Sequence, residues 1–298
     1  MKNNELSACM PANLARRSLL FVPGSRVDRI AKALNSEADA IIIDLEDAIE
    51  LSMKDSVRES VVEFLGRVDR TSCSKEIFVR INSIRSSDGM RDLLALVGAP
   101  LDGLDGVVLP KVQSEGEVEQ VAAILDEQQH PASIGALIET VEGLDNINKI
   151  AAASDRMDFL MFGGADFAGD LGVELERLPL EYARIRIIHA AARYGLASVE
   201  MPWVQLSDAG GYEDDVEYCF ALGFDSRAAI HPSQIRAIHK RLKPSAENVS
   251  RAKMIFEAYQ KSDGGVFVVD GRLVERPLVL SAQKILARAA ATAAKDGA

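Results

Sequence analysis

The sequence has little cysteine and no long apolar run, and each shortage excludes a class of protein. Its 298 residues include three cysteines, Cys9, Cys73 and Cys219, which lie far apart and form no Cys-x-x-Cys pair. A disulfide framework or a zinc site is therefore not expected. No stretch is apolar enough to cross a bilayer, and the first residues lack the apolar core of a signal peptide, so we expect a cytoplasmic protein with no membrane partner.

Positive charge is scarce as well. The chain has 34 Lys and Arg against 45 Asp and Glu, which gives a formal net charge of −11. Because neutralising phosphates needs an excess of basic residues, no nucleic-acid partner is expected. The first apolar run is not followed by a G-x-G-x-x-G motif, and there is no P-loop, so the sequence does not indicate a dinucleotide or nucleotide site.

What the chain does contain is a regular alternation of short apolar runs with longer amphipathic stretches. The runs predict strands at Ser18–Val22, Ala40–Leu45, Ile77–Ile81, Gly106–Leu109, Ile134–Ile138, Phe159–Phe162, Ala197–Met201 and Ala228–Ile230. Eight strand–helix units favour an α/β fold of the (β/α)₈ TIM-barrel type. A doubly wound open sheet is the structural alternative.

The pattern divides the chain into three parts. Residues 1–15 are polar and without periodicity, and we expect a loose tail; residues 16–240 carry the barrel pattern; and residues 241–298 form a C-terminal extension. In the extension we predict a helix over Ser245–Gln260, a hairpin over Val266–Glu275 turning at Asp270-Gly271, and a last helix from Pro277. The extension covers its own barrel or is exchanged with a neighbouring subunit.

Polar residues follow most of the predicted strands, and in a barrel those carboxyl ends converge on one mouth. The acids of this set are Asp44, Glu46, Asp47, Glu139, Asp166 and Glu200, and the bases are Arg80, Lys111 and His231. Several acids without matching bases suggest a hard divalent cation, Mg²⁺ with Mn²⁺ as the alternative, which needs only one or two protein carboxylates. Glu139 and Asp166 follow adjacent strands and are the natural pair. Gly163-Gly164, just before Asp166, lets a ligand approach closely.

Several of these residues also have a purely structural interpretation. Asp166 or Glu139 could cap the helix that follows it, and Asp170 is expected at a helix start. Arg80 could bind a substrate carboxylate or a developing oxyanion, or merely pair with Glu46. Asp44 is expected to tie loops together, and His231 is expected to be a loop histidine that donates to backbone.

Lys111 raises a second mechanism. A lysine desolvated at a barrel mouth can form a Schiff base with a carbonyl substrate, which would make the protein a metal-free aldolase. The number of carboxylates favours the metal-dependent alternative. The sequence contains no Ser/His/Asp or Cys/His arrangement that indicates a nucleophilic triad.

Taken in order, the strand ends resemble the citrate lyase β-subunit-like family of the HpcH/HpaI aldolase superfamily. The matching segments are RRSLLFVPGSR at 16–26, ADAIIIDLEDAI at 38–49, VRIN at 79–82, GLDGVVLPKV at 103–112, ALIET at 136–140, FGGADFAGDLG at 162–172, AIHPSQI at 229–235 and VVDGRLVERP at 268–277. The resemblance covers almost the whole chain from Arg16 to about Leu286. It implies a (β/α)₈ barrel, a homo-oligomer (trimer or hexamer), that binds Mg²⁺ and makes or breaks a carbon–carbon bond in a malyl-, citramalyl- or citryl-type thioester.

The resemblance also implies roles for individual residues. Glu139 in ALIET and Asp166 in GGADF would ligate the metal. Arg80 in VRIN would bind substrate oxygens. Glu46 and Asp47 in DLED would hold Arg80 and a water on the metal.

Further roles concern the thioester itself, which is linked to coenzyme A or to an acyl carrier. Arg26 and Arg29, around the PGS loop, would help hold the nucleotide part of coenzyme A. Glu275, in the C-terminal motif that reaches a neighbour's barrel in such relatives, would be an acidic proton donor.

The sequence departs from the family pattern at three positions. Ala165 stands where the family has an acid, Glu200 ends the seventh strand where the family has Asp, and Glu275 replaces Asp. These changes leave the predicted metal ligands Glu139 and Asp166 in place, but the identities of the substrate and of the proton donor stay undetermined. The alternatives to a lyase are therefore a thioesterase on malyl-CoA-type substrates, or a non-catalytic or acyl-carrier-dependent subunit of a citrate lyase-like complex.

Overall fold

The structure, a computed structural model, describes residues 15–98, 101–261, 267–269 and 271–296. Cys9 and all of the expected N-terminal tail except residue 15 lie outside these ranges, as does Asp270 of the expected hairpin turn. Among the described residues, no helix is both long and apolar enough to cross a membrane.

Eight parallel strands close into a barrel, which confirms the predicted (β/α)₈ fold. The strands are β1 (Ser18–Pro23), β2 (Ala40–Asp44), β3 (Glu76–Arg80), β4 (Gly106–Leu109), β5 (Ser133–Ile138), β6 (Met157–Phe162), β7 (Ala197–Glu200) and β8 (Ser226–Ala229). Closure is explicit, because Ser18 of β1 pairs with Arg227 of β8. The open-sheet alternative is therefore wrong.

Helices follow the strands and cover the barrel. In the barrel region they are α1 (Val27–Leu34), α2 (Lys54–Leu65), α3 (Ser87–Val97), α4 (Glu115–Glu127), α5 (Val141–Asp145), α6 (Ile147–Ala152), α7 (Gly164–Leu171), α8 (Arg177–Tyr194), α9 (Ala209–Leu222) and α10 (Ile235–Leu242). Short 3₁₀ turns at Leu51–Met53 and Pro232–Gln234 precede α2 and α10. Buried on both faces, the strands read as nearly continuous apolar runs.

Alternation along each strand sorts the side chains into two cores. One set fills the barrel interior and includes Ile42, Phe78, Leu137, Phe159 and Met161. The other set packs against the helices and includes the strand residues directly before and after those of the first set. Because successive side chains of a strand point to opposite faces, Asp44 and Arg80, two residues beyond Ile42 and Phe78, share the interior face at the end where the strands finish.

The C-terminal extension has a small core of its own. It consists of α11 (Ala246–Lys261), the antiparallel strands β9 (Phe267–Val269) and β10 (Arg272–Val274), and α12 (Arg276–Asp296). Its buried apolar residues are Ala252, Ile255, Val274, Val279 and Ala282. Lys284 and Arg288 of α12 bind Asp225, which directly precedes β8. These contacts lie at the opposite end of the barrel from the mouth, and a contact with a neighbouring barrel stays a prediction.

Candidate active site

Glu139, the residue after β5, is the most deeply buried carboxylate of the mouth, with 2% of its surface exposed. Its Oε1 accepts a hydrogen bond of 2.7 Å from the backbone N–H of Lys111, a residue in the left-handed region at φ 52°. Its other side faces Gly163, where a Cβ atom would lie 2.2 Å from Glu139 Oε2. Burial, together with the charges of Asp166 and Glu46, raises the pKa of Glu139 to about 8.

Asp166 lies in the first turn of α7, just beyond Gly163 and Gly164. A Cβ atom at position 164 would lie 2.2 Å from Met201 Sδ, so any larger residue there would displace the Met201 side chain. Asp166 Oδ2 is 3.5 Å from Lys111 Nζ, and Asp166 lines the same cavity as Glu139. The structure thus brings the sequence-predicted pair together at one site, and their sharing of a metal stays a prediction.

The capping alternatives for these acids do not hold. Thr140 is the N-cap of α5, where its hydroxyl accepts from the Gly143 N–H at 3.0 Å, so Glu139 is free of that role. The expectation that Asp170 starts a helix is wrong. Asp170 lies in the last turn of α7 and accepts from the N–H of Val141, the first residue of α5, at 2.7 Å. Asp170 therefore joins two helices behind the site.

Arg80 is buried, and its guanidinium forms a bidentate pair with Asp44, with both N–O distances 2.7 Å. Its Nη1 also lies 3.0 Å from Glu46 and 3.3 Å from Asp47. Burial opposes the charge of Arg80, but the hydrogen bonds and charge of Asp44 outweigh it and raise the pKa. The pairing of Arg80 with Glu46, expected as the structural alternative, is present, but Asp44 is the main partner, and the binding of substrate oxygens by Arg80 stays a prediction. Asp44 also accepts from the Glu46 N–H at 3.0 Å, so it ties the loop as expected.

Glu46 and Asp47 form an acidic pair beside Arg80. Burial raises the pKa of Glu46 in spite of Arg80 and Lys111. Burial opposes ionisation of Asp47 too, but its hydrogen bond with Glu46 and the charges of Arg80 and Lys111 lower its pKa. The pKa values of the two neighbouring carboxyl groups are therefore shifted in opposite directions, although both groups lie against the cations of Arg80 and Lys111.

Lys111 places its ammonium group against these acids. Its Nζ is 2.5 Å from Glu46 and 3.4 Å from Asp47. Partial burial opposes the charge, but the hydrogen bond that Lys111 donates to Glu46 and the charges of the surrounding carboxylates raise the pKa of Lys111. A Schiff base requires the neutral amine, so this environment opposes the aldolase mechanism through Lys111.

A buried support under the loop after β2 was missed in the sequence. Lys54 at the start of α2 donates to the carbonyls of Leu45 and Glu46 and to Asn82 Oδ1. Asn82 in turn donates to Asp92 through its backbone N–H at 2.9 Å and through Nδ2 at 2.6 Å. The sequence does indicate this support in one way, because Lys54 is a charged residue on the face of α2 that also carries the buried apolar side chains.

Two residues assigned to the mouth from the sequence lie elsewhere. Glu200 shares the outward face of β7 with Ser198, is completely buried, and pairs with Arg184 of α8 at 3.1 Å. Its placement at the mouth was wrong because it is one residue out of phase with the interior face. His231 is exposed and caps the 3₁₀ turn Pro232–Gln234. Its Nδ1 accepts from the Ser233 N–H, so it is a loop histidine that accepts from backbone instead of donating to it.

The residues predicted to bind or protonate the thioester do not all lie at the mouth. Arg26 is exposed and pairs with Asp28 at 2.9 Å, whereas Arg29 lines the mouth cavity. Glu275 is exposed directly before α12 and does not line the mouth cavity of its own chain. Its predicted action in a neighbouring barrel stays a prediction.

The mouth encloses a cavity of about 330 Å³. Four carboxylates and two guanidinium groups line it, those of Asp44, Asp47, Glu139, Asp166, Arg29 and Arg80, and the remaining lining is largely apolar. In the described part of the chain, no three His, Cys, Asp or Glu side chains are arranged to hold one ion. Mg²⁺ requires only one or two carboxylates and takes its other ligands from water and substrate. The excess of carboxylates over cations and the buried Glu139 therefore fit a divalent ion.

Comparison with known proteins gives a consistent set of relatives. Residues 17–232 match the family described as HpcH/HpaI aldolase/citrate lyase. Citrate lyase subunit beta of Leuconostoc mesenteroides subsp. cremoris is 33% identical over 285 residues, which is 91% of this chain and 92% of that protein. The (3S)-malyl-CoA thioesterase of Cereibacter sphaeroides is 31% identical over 283 residues, which is 93% and 96% of the two chains. The crystal structure of CitE from Mycobacterium tuberculosis with magnesium, acetoacetate and coenzyme A has a TM-score of 0.75 at 30% identity and covers 92% of this chain and 98% of its own.

Proposed function

The chain belongs to the HpcH/HpaI aldolase/citrate lyase family, and from this premise we propose that it is a Mg²⁺-dependent carbon–carbon lyase. Its substrate would be a β-hydroxyacyl thioester of the malyl-, citramalyl- or citryl-CoA type, which it cleaves or forms. The observation that carries the proposal is the pair Glu139 and Asp166 in one cavity with the fixed guanidinium of Arg80. Mn²⁺ is the alternative ion.

Glu139 and Asp166 would hold the ion, which when bound would act as a Lewis acid on the oxygens of the 2-oxo acid. The CitE protein of M. tuberculosis supports the dependence on Mg²⁺, since its structures include complexes with magnesium and pyruvate and with magnesium and oxaloacetate. Lys111 contributes by donating its backbone N–H to Glu139, which fixes the orientation of that carboxylate.

Arg80 would stabilise the negative charge that develops during cleavage. The bond between the hydroxyl-bearing carbon and the thioester α-carbon breaks, its electron pair passes to the thioester enolate, and the hydroxyl group becomes the carbonyl of the oxo acid. The bidentate pair with Asp44 uses two of the five N–H groups of Arg80 and holds the side chain in place. A preorganised charge of this kind is worth about 10²–10³ in kcat.

Proton transfer would involve Glu46, Asp47 and Glu275. Glu46 and Asp47 lie next to Arg80, and one of these carboxylates would accept the hydroxyl proton of the substrate. Glu275 of a neighbouring subunit would return a proton to the enolate carbon, which requires a homo-oligomer (trimer or hexamer). Arg29 at the cavity, with Arg26 nearby in sequence, would hold the nucleotide part of coenzyme A.

Two other activities are compatible with the same site. A thioesterase is favoured by the relative named (3S)-malyl-CoA thioesterase, and it would hydrolyse the thioester while leaving the carbon–carbon bond intact. A carrier-dependent subunit is favoured by the relatives named citrate lyase subunit beta. Such a subunit would act only on an acyl group attached to a carrier protein.

Product analysis separates these activities. The purified protein is incubated with citramalyl-CoA and malyl-CoA in Mg²⁺ or after metal stripping with EDTA, and acetyl-CoA, free coenzyme A and oxo acid are measured. A lyase releases acetyl-CoA and oxo acid in equal amounts, and only with metal. Asp166→Asn should abolish this release, whereas the matched control Asp170→Asn, one turn later on α7, should retain it. Full activity in the metal-stripped protein would exclude the proposal.

A further inference from the structure

Lys111 connects the two groups of acids at the mouth. Its backbone N–H donates to Glu139, one of the proposed metal ligands, at 2.7 Å. Its side-chain Nζ lies 2.5 Å from Glu46, 3.4 Å from Asp47 and 3.5 Å from Asp166. One residue therefore contacts both proposed metal ligands and both candidate proton acceptors.

The backbone of Lys111 has a conformation that residues with a side chain rarely adopt. Its φ of 52° lies in the left-handed region, where glycine would be unstrained. Contacts on both sides hold this conformation, because the Lys111 N–H binds Glu139 and the Lys111 carbonyl accepts from Arg85 Nη2 at 3.0 Å. Glycine would provide the same backbone contacts without strain, so a lysine at this position points to a function of its ammonium group.

The ammonium group orients Glu46. Glu46 Oε1 accepts a hydrogen bond of 2.5 Å from Lys111 Nζ. Glu46 Oε2 is buried and lies 3.0 Å from Arg80 Nη1 without forming a hydrogen bond with it. Arg80 directs its Nε and Nη2 at Asp44 instead. The hydrogen bond from Lys111 is therefore the main contact that orients the Glu46 carboxylate.

Lys111 lies behind the mouth cavity and not in its wall. Asp47, Glu139 and Asp166 line the cavity, whereas Lys111 and Glu46 do not. A substrate in the cavity would meet the carboxylates of the wall, and the ammonium group would act on it only through them. This placement is that of a residue that supports other groups.

From these contacts, and resting on the proposed function, we infer that Lys111 is a positioning residue, which sets the proton-accepting acids against the metal pair. Its ammonium group holds the acidic pair of Glu46 and Asp47 through Glu46, and its backbone N–H holds Glu139. Because both contacts come from one residue in a fixed backbone conformation, Lys111 sets the distance between the acids that take the proton and the acids that bind the metal. A displacement of about 1 Å in such an arrangement lowers the rate about 10²-fold.

The first test removes the charge and keeps the backbone. Lys111→Met has a side chain of similar length, and its kcat for cleavage of citramalyl-CoA or malyl-CoA should fall about 10–100-fold, the effect of losing one hydrogen bond between charged groups. KM should stay within about threefold, because Lys111 does not line the cavity. Lys111→Arg keeps the charge and should retain more activity than Lys111→Met. The matched control Lys149→Met, at an exposed position of α6, should retain the parent kcat. An unchanged kcat in Lys111→Met would overturn the inference.

Metal binding separates positioning from general damage to the site. Lys111→Met keeps the N–H that holds Glu139 and removes a positive charge 3.5 Å from Asp166. Its Mg²⁺ dissociation constant, measured by calorimetry, should therefore be equal to or lower than that of the parent protein. A site that is merely disordered would lose metal affinity and kcat together. Weaker Mg²⁺ binding in Lys111→Met would contradict the proposed division of roles.

A double-mutant cycle tests whether Lys111 acts through Glu46. In the Glu46→Gln background the carboxylate that the ammonium group orients is already gone, so adding Lys111→Met should lower kcat by no more than about threefold. A further loss of about 10–100-fold in that background would show that Lys111 acts by another route, and the assignment would fall.

Failure of the proposed function has a different outcome. If the parent protein cleaves no thioester, the lyase proposal fails, and crystal structures of the parent protein and of Lys111→Met decide the inference. A Glu46 carboxylate displaced by about 1 Å or more, with Glu139 in place, supports it, and an unmoved Glu46 overturns it. If urea unfolding shows that Lys111→Met does not fold, Lys111→Gly takes its place in every test, because glycine is unstrained at this φ.

Discussion

The role of Gly163 gives the sharpest prediction about the metal pair. In Gly163→Ala the new Cβ would lie 2.2 Å from Glu139 Oε2 and 2.5 Å from Glu139 Cβ, far inside normal contact distances. Because φ at this residue is −101°, alanine is tolerated by the backbone and the conflict is purely steric. The backbone at residue 139 or 163 must then shift to relieve the contact with Glu139 Cβ, and the Glu139 carboxylate must rotate away from its 2.7 Å hydrogen bond with the Lys111 N–H.

We expect this rotation to weaken metal binding more than it weakens the fold. Disturbing the groups that orient a metal ligand typically costs about 10–100-fold in affinity. Overpacking a buried site costs about 1–3 kcal/mol of stability, which the fold can sustain. Calorimetric titration with Mg²⁺ and Mn²⁺ measures the first effect, and urea unfolding measures the second.

The matched control is Gly169→Ala, in the same helix α7. A Cβ at residue 169 meets no atom within 4 Å, so this variant should bind metal as the parent protein does and unfold at the same or a slightly higher urea concentration. Unchanged metal affinity in Gly163→Ala would refute the assignment of Glu139 as an oriented ligand.

Four further predictions concern charged groups. Arg80→Lys loses the bidentate geometry with Asp44 and should lower kcat about 10²–10³-fold, measured by steady-state kinetics under conditions where urea unfolding shows the variant to be folded. Borohydride added during turnover should leave Lys111 unmodified by mass spectrometry; a covalent adduct there would revive the Schiff-base mechanism. Arg184→Met leaves the buried Glu200 unpaired and should lower the free energy of unfolding by about 3–5 kcal/mol, and adding Glu200→Gln should recover much of it. Burial lowers the pKa of His130, so the unfolded chain takes up the proton first. Relative to His130→Gln, the free energy of unfolding of the parent protein should be constant above pH about 6.5 and fall below it, measured by urea unfolding of both proteins at each pH.

The architecture was predictable because its signal is repetitive. Eight apolar runs separated by amphipathic stretches are compatible with few folds, and each run lies within about two residues of an observed strand. The strand-end residues Asp44, Arg80 and Glu139 were found for the same reason, since the carboxyl ends of parallel strands must meet. Local periodicity therefore predicted both the fold and about half of the residues at the mouth.

The errors arose where a shift of one residue along a strand, or a contact with a residue distant in the sequence, determines where a side chain lies. Glu200 follows an apolar strand as Glu139 does, but it faces outward onto Arg184, a partner sixteen positions earlier in the chain. Lys54 carries no motif, and its role under the loop after β2 depends on carbonyl groups that the fold brings to it. The apolar residues that line the mouth cavity were also missed, because Met201 and Ile230 look like ordinary core residues in the sequence.

The most direct test of the central claim is a product balance from citramalyl-CoA measured by mass spectrometry, with Mg²⁺ and after metal stripping. The account predicts acetyl-CoA and pyruvate in a one-to-one ratio with Mg²⁺, and neither product without it. Release of free coenzyme A with the hydroxy acid intact, or undiminished turnover in EDTA, would contradict it.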